Sequence, residues 1–322
     1  MIDAIEINNF RCFHQTKIGG FKSINLIGGK NNSGKTALLE AIYCVEKEDN
    51  YQRILDARYE NLDSENRKKN LFFSYDINKK AEIKIFFIGE SKYENKNFTY
   101  TYEEGVKITK KEPIYFNLQQ AFSYVSSLIF SKNAQLPFNL NLSEEFDKAD
   151  IQGESKIVLE ALQIIDSTIE EIKTYSSKPN MLYLRKKNEK IFTPLNDFGD
   201  ALQKVMRYIV TMMNLSKENS NIGNKCLLID EIENGLHFAA HEDFWKMLFK
   251  LSKAYNVQIF ATSHSLEMIS AFNRVAHQTK FEQDAMYFEM SRHAKSQEII
   301  GNPMDIEMLN YEILSKSSFR GE

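Results

Sequence analysis

Three short stretches of this sequence hold residues at spacings that could do chemistry. The first is Gly29-Lys30-Asn31-Asn32-Ser33-Gly34-Lys35-Thr36, which fits G-x-x-x-x-G-K-[ST] without a mismatch. Glycines let the backbone curl until several N–H groups point at one anion. A helix predicted to open at Ala37 adds its positive end. In such a loop Lys35 reaches the β- and γ-phosphates of a nucleotide, and the Thr36 hydroxyl binds Mg²⁺. The second stretch is Lys225-Cys226-Leu227-Leu228-Ile229-Asp230-Glu231, an apolar run ending in two acids. Continuous hydrophobicity suits a parallel strand buried on both faces. Two carboxylates at its end are costly unless a cation meets them. Downstream of a phosphate loop that cation is Mg²⁺, with Asp230 holding the metal and Glu231 polarising the attacking water. The third is Val257 to Thr262 followed by Ser263-His264-Ser265, which puts His264 at the carboxyl edge where α/β sheets bind ligands. A chance glycine-rich turn and a plain strand-end cap are the bland readings. The apolar strand Ile24, Leu26, Ile27 before the loop and the helix Ala37 to Ile42 after it favour the chemical one.

The elements that must position these residues follow from the hydrophobic pattern. Ile2, Ile5 and Ile7 alternate with polar residues and predict an opening strand. Lys17 to Ile27 predicts one strand into the phosphate loop, and the helix beyond it runs to about Val45. Residues 46–70 are polar and read as a loop or an irregular helical insertion. From 71 to 116 the pattern turns to strands: Leu71-Phe72-Phe73, Ala81 to Ile88, Phe98 to Tyr102 and Val106 to Thr109, an antiparallel meander with Lys107, Lys110 and Lys111 on a solvated edge. Residues 114–176 read as largely helical, on the spacing of Ile157, Leu159, Leu162, Ile165, Ile169 and Ile172, with an Asn/Ser-rich loop at 131–153. A hairpin is expected across Lys187-Asn188-Glu189. A helix then opens at Gly199-Asp200, a second runs from Ala239 to Tyr255, and a strand pair and a helix from Asp305 to Ser315 close the chain.

Composition bounds the answer. The 322 residues are 43% hydrophobic and 26% charged, ordinary for a globular chain that can bury a large core. A net charge of −3 is not the footprint of a protein that coats nucleic acid by charge alone. Cys12, Cys44 and Cys226 form no C-x-x-C pair and read as reduced, buried thiols. No run reaches the ~20 apolar residues of a membrane span, so a cytoplasmic location and no membrane partner are expected.

The order of these stretches resembles the ABC-type ATPase heads of the structural-maintenance, double-strand-break-repair and RecF-like proteins. Within that group it is most similar to the overcoming-lysogenisation-defect (OLD) family and its stand-alone ATPase relatives. The resemblance rests on Asn9-Phe10-Arg11, the phosphate loop, Phe198-Gly199-Asp200-Ala201, Ile229 to His237 and Ala261 to Ser265, and it is weak between about 50 and 180. It implies an α/β ABC-ATPase head: a mixed central sheet, an N-terminal antiparallel β meander and a helical insertion. The chain would be one head, with 1–46 and 178–322 as nucleotide-binding core and about 47–177 as meander plus insertion. ATP and Mg²⁺ are the implied cofactors. Gly29, Asn31, Asn32, Ser33, Gly34, Lys35, Thr36 and Ala37 would hold the phosphates. The resemblance further implies that Arg11 approaches them from the first strand turn and that His264 contacts the γ-phosphate. Asn196, Gly199 and Asp200 would stand in for the signature turn that meets ATP bound to a second subunit. Glu233 to His237 would be the turn at the dimer seam, and Gln119 or Gln120 the glutamine of the Q-loop. The turn is not the Leu-Ser-Gly-Gly form, and about 58 residues after His264 are too few for a Toprim nuclease. The expected function is therefore an ATPase that dimerises on ATP, with higher oligomers open, and regulates a separately encoded nuclease or toxin in anti-phage defence. The alternative is a DNA-binding repair ATPase using Arg67-Lys68-Lys69 and Arg185-Lys186-Lys187.

Overall fold

The computed structural model describes residues 1–45, 50–59, 61–88, 94–102, 106–111, 125–128, 141–217, 225–296 and 298–315. β1 (Ile2–Phe10) and β2 (Phe13–Gly19) form an antiparallel hairpin. β3 (Ile24–Gly29) runs into the phosphate loop, and α1 (Lys35–Cys44) leaves it. Two short helices follow, α2 (Asn50–Arg58) and α3 (Ser64–Lys69). β4 (Ala81–Phe87), β5 (Glu94–Tyr102) and β6 (Val106–Lys111) extend the first hairpin into a five-stranded antiparallel sheet of order β2-β1-β4-β5-β6. β7 (Val125–Leu128) pairs elsewhere, in the central sheet. α4 (Leu142–Ile151) and α5 (Ser155–Ile165) precede a small sheet of β8 (Ile169–Tyr175), β9 (Lys178–Lys186) and the two-residue β10 (Thr193–Pro194). The rest is α6 (Asp200–Lys217), β11 (Lys225–Ile229), α7 (His241–Tyr255), β12 (Val257–Thr262), α8 (Leu266–Thr279), β13 (Ala285–Arg292), β14 (Ile299–Met304) and α9 (Ile306–Ser315).

The central sheet has the order β14-β13-β3-β12-β11-β7. Every neighbouring pair is parallel except β13 with β14, so the sheet is mixed. β12 lies in its middle and is buried at all six positions, which is why its sequence is continuous rather than alternating. Successive side chains point to opposite faces. Leu26, Leu227, Ile229 and Ile259 therefore enter one core with Trp245, Phe249 and Phe272 of the helical layer. Ile27, Leu228, Phe260 and Phe288 enter a second core with α1 and the antiparallel sheet. Strand ends are held rigidly from both sides, and the phosphate loop, Asp230 and Thr262 all sit at those ends. The α/β head with a mixed sheet and an N-terminal meander is the architecture expected from the sequence.

Several local readings need correction. Lys17 to Ile27 is two strands in different sheets, because Gly20 and Phe21 both donate to the Asp3 carbonyl and turn the chain. Leu71-Phe72-Phe73 is not a strand. Phe72 makes one bridge to Phe10, and a 3-10 turn follows with Ser74 and Tyr75 at positive φ. Leu71 and Phe72 are aromatic or apolar because they fill the core. The Asn/Ser stretch before 153 contains α4, and Asn141 is its cap, accepting from the N–H groups of Ser143 and Glu144. Ile169 and Ile172 belong to β8, not to a helix. A register shift between Ile169 and Glu171 makes residues three apart share a face, which imitates helical spacing. β9 pairs mainly with β8, and only Thr193 and Pro194 return to it from the expected hairpin. β7 is a strand inside the segment read as helical. Gln119 and Gln120 lie outside the described residues. Cys44 and Cys226 are buried and Cys12 is half-buried, all three unbridged.

Candidate functional site

The phosphate loop closes on itself in a way that needs its glycines. Gly29 has φ +127°, and a Cβ there would lie 2.3 Å from the Met290 carbonyl oxygen. Gly34 caps α1 in the left-handed region at φ +95°. Between them the buried Ser33 hydroxyl finds no hydrogen-bond partner among the described residues. Lys35 Nζ donates back to the carbonyls of Gly29 at 2.7 Å and Lys30 at 2.9 Å. Burial lowers the Lys35 pKa, opposed by the carboxylates of Asp230, Glu289, Glu233 and Glu231. A cradle with an orphaned donor and a half-desolvated ammonium is built to take an anion. Asn31, Asn32 and Ala37 also line the cavity, of about 720 Å³, that opens over this loop.

Asp230 meets the loop through Thr36. Thr36 Oγ1 donates to the Asp230 carboxylate at 3.0 and 3.1 Å. Thr262 Oγ1 donates to Asp230 Oδ1 at 2.5 Å and accepts the backbone N–H of Glu231 at 2.9 Å. Desolvation raises the Asp230 pKa, partly offset by these two hydroxyl bonds and by Arg58. A buried carboxylate raised this way gains from a cation. Thr36 and Asp230 offer one hydroxyl and one carboxylate, the hard oxygen donors Mg²⁺ uses when phosphates and waters supply the rest. Among the described residues no cluster of three or more His, Cys, Asp or Glu could hold a metal alone. Glu231 stands next on the turn with φ +49° and accepts from Asn234 Nδ2.

His264 is half-exposed at the cavity wall. Its ring Nδ1 lies 2.9 Å from Glu233 Oε1, and the same oxygen accepts its backbone N–H at 3.0 Å. Lys35, Thr36, Asp230, Glu231 and His264 thus share one cavity. Sequence reasoning missed Glu233 as the group that orients His264. It also missed the Thr262 hydroxyl, the hinge between Asp230 and Glu231. The signal for both was their place at the ends of the two strands already chosen.

Arg11 reaches the same wall, but its guanidinium turns away from the loop. Its Nε meets Glu40 Oε2 at 3.0 Å, and its Nη1 donates to Tyr59 Oη at 2.6 Å and to the Asn70 carbonyl at 3.3 Å. Glu40 is fully buried on α1 and also pairs with Arg58 from α2. Arg11 therefore holds α1 while lining the cavity over the phosphate loop. Arg58 and Arg292 line the cavity as well, and neither was singled out in the sequence. Asn196 and Gly199 are not among the described residues that line this cavity. Asn196 sits in a 3-10 turn and Asp200 opens α6. A Cβ on Gly199 would meet nothing within 4 Å, so that turn faces open space.

A family model described as "AAA domain, putative AbiEii toxin, Type IV TA system" matches residues 24–270. The chain belongs to this AAA family. The chain is 28% identical over 362 aligned positions to a Helicobacter pylori protein described as an ATP/GTP phosphatase, with 89% of this chain and 94% of the relative covered. Its fold is like the SMC head domain of Thermotoga maritima, with a TM-score of 0.55 and 14% identity over 94% of this chain and 99% of that one. It is also like an SMC head solved with the C-terminal winged-helix domain of ScpA, with a TM-score of 0.60 and 14% identity over 95% and 98% of the two chains. At such identities the likeness is one of fold. The chain is an ATPase of the AAA family, with a fold like that of SMC heads. Among its described residues no helix is long and apolar enough to cross a membrane.

Proposed function

We propose that the AAA domain binds Mg²⁺-ATP between its own phosphate loop and the Gly199 turn of a second copy, and that hydrolysis opens this sandwich to control a separately encoded effector. The observation that carries the reading is the chain Thr36–Asp230–Thr262–Glu231 beside the cradle, while Asn196 and Gly199 lie outside its wall. Among the described residues the site has a loop, a metal acid, a water-activating acid and a histidine for the γ-phosphate, and the signature turn lies outside it. A turn with nothing in front of it suits a signature contact in trans. Mg²⁺, held by Thr36 and Asp230 with the phosphates, would neutralise charge on the transferring group. Glu231 takes the attacking water's proton. His264, fixed by Glu233, donates toward the γ-phosphate. The relative's description extends the substrate question to GTP.

The setting we propose for this cycle is anti-phage defence, with a nuclease or toxin as the effector, a reading supported by the sequence resemblance to the OLD family. The DNA-binding reading draws on the SMC-head-like fold. Its basic stretches count less than they did in sequence, since Arg185 pairs with Glu170 and Glu171, Lys186 with Asp166, Arg67 with Asp56 and Lys69 with Glu65. The test is Glu231→Gln. Slow turnover with an ATP-trapped dimer supports the proposal, and unchanged turnover removes Glu231 from its role. Duplex DNA retained by that dimer in a salt-dependent way would favour the second reading.

A further inference from the structure

α6 begins just after the Gly199 turn, and one turn further in it touches the other half of the site. Lys204 leaves this helix toward the residues that follow Glu231. Its Nζ donates to the Ile232 carbonyl at 3.1 Å and to the Asn234 carbonyl at 2.6 Å. The ammonium lies 5.8 Å from the Tyr208 ring centroid and faces Glu233 and Glu231. Burial pulls its pKa down to about 8 against the pull of those two acids. A long, flexible side chain is held here at the cost of desolvation, and its two bonds go to backbone atoms of a single turn.

That turn is strained. Glu231 sits at φ +49°, a region L side chains enter at a cost of roughly 1–3 kcal/mol unless their surroundings impose it. Two anchors impose it. On the β12 side Thr262 takes the Glu231 N–H through its hydroxyl and the Ile232 N–H through its carbonyl, both at 2.9 Å. On the α6 side the anchor is Lys204. We propose that Lys204 is a positioning residue: it fastens the Glu231 turn to α6, so that engagement of the Gly199 turn by nucleotide on the partner copy is passed to the carboxylate that activates water at this copy's own site. This rests on the trans-site reading above. α6 is then the lever between the two sites of a dimer, and the two sites fire together.

The test compares Lys204→Met, Lys204→Gln and Lys204→Arg with the native chain, each checked for folding by its melting curve. A misplaced carboxylate of an ångström or so costs on the order of 100-fold in rate without touching nucleotide affinity. Lys204→Met should therefore lower kcat by at least ~10-fold, leave KM and the affinity for a fluorescent ATP analogue within about threefold, and bring the Hill coefficient to near one. Lys204→Arg, which can still donate to two carbonyls, should recover most of kcat. Lys204→Gln, with a shorter donor, should fall between and serves if the methionine variant does not fold. A native kcat in the methionine or glutamine variant would overturn the proposal, as would a loss confined to KM. If Gly199→Glu leaves turnover intact while Lys204→Met still lowers kcat, the trans reading has failed and Lys204 only props up its own turn.

Discussion

Thr262 is a sensitive point because one hydroxyl serves both acids. Thr262→Val keeps the shape of the side chain and removes the oxygen. The Glu231 N–H then loses its partner at the end of a buried strand, which costs about 1–3 kcal/mol. Asp230 loses a hydrogen bond to its charged form, worth a further ~1.5–3 kcal/mol. Thr36 still donates to Asp230, so part of the second loss is recovered by relaxation toward it. A net destabilisation of about 1–4 kcal/mol is expected, with the lower bound set by the orphaned N–H alone. Because the same oxygen fixes the left-handed Glu231, turnover should fall by roughly 100-fold. Thr262→Ser keeps the hydroxyl and loses one methyl, so it should cost about 1 kcal/mol and little activity. The assays are chemical denaturation and steady-state phosphate release on all three proteins. Valine and serine variants that behave alike would refute the reasoning, because the effect would then come from packing rather than from the hydrogen bonds.

Three further outcomes follow from the geometry. Glu40→Gln neutralises a buried carboxylate between Arg11 and Arg58 and should lower stability by about 3 kcal/mol, seen as an earlier melting transition without nucleotide. Gly34→Ala puts a Cβ at φ +95° and 2.8 Å from Ile299 Cδ1, costing about 1–2 kcal/mol and weakening ATP binding by calorimetry. Lys204 releases its proton near pH 8 in the folded chain and near 10.5 in the unfolded one. Between those values the unfolded chain binds the extra proton, so this group makes stability rise with pH, by at most about 1.4 kcal/mol per unit. Lys204→Met should remove that rise in denaturation curves taken across the window, and an unchanged slope would show that the ammonium is not desolvated.

Sequence legibility followed physical type. The phosphate loop was readable because it is local: glycines, lysine and threonine act within eight residues, and Lys35 and Thr36 sit where the spacing put them. Asp230 and His264 were readable because buried parallel strands leave continuous apolar runs that end at the ligand edge. Glu40, Glu233 and Lys204 were not, because each acts on a residue distant in the chain. Glu40 looks like one more helical glutamate until Arg11 and Arg58 arrive from other elements. β8 was hidden by its register shift, and α4 by the asparagine that caps it. Arg11 was singled out only through the family resemblance, and its ion pair with the buried Glu40 was not legible because the two meet from different elements.

The central claim is that each ATP site is built from two copies, and subunit mixing tests it most directly. Lys35→Ala removes the cradle's cation, while Gly199→Glu sets a like charge before the phosphates at a turn whose own subunit leaves room for it. Each variant alone should be inert. Mixed in equal amounts, half the dimers are hybrids that hold one intact site each, so turnover should rise above both parents, to at most roughly a quarter of native because the hybrid's second site cannot engage α6. A mixture that stays as inert as its parents, or a Gly199→Glu protein that is active by itself, would contradict the claim.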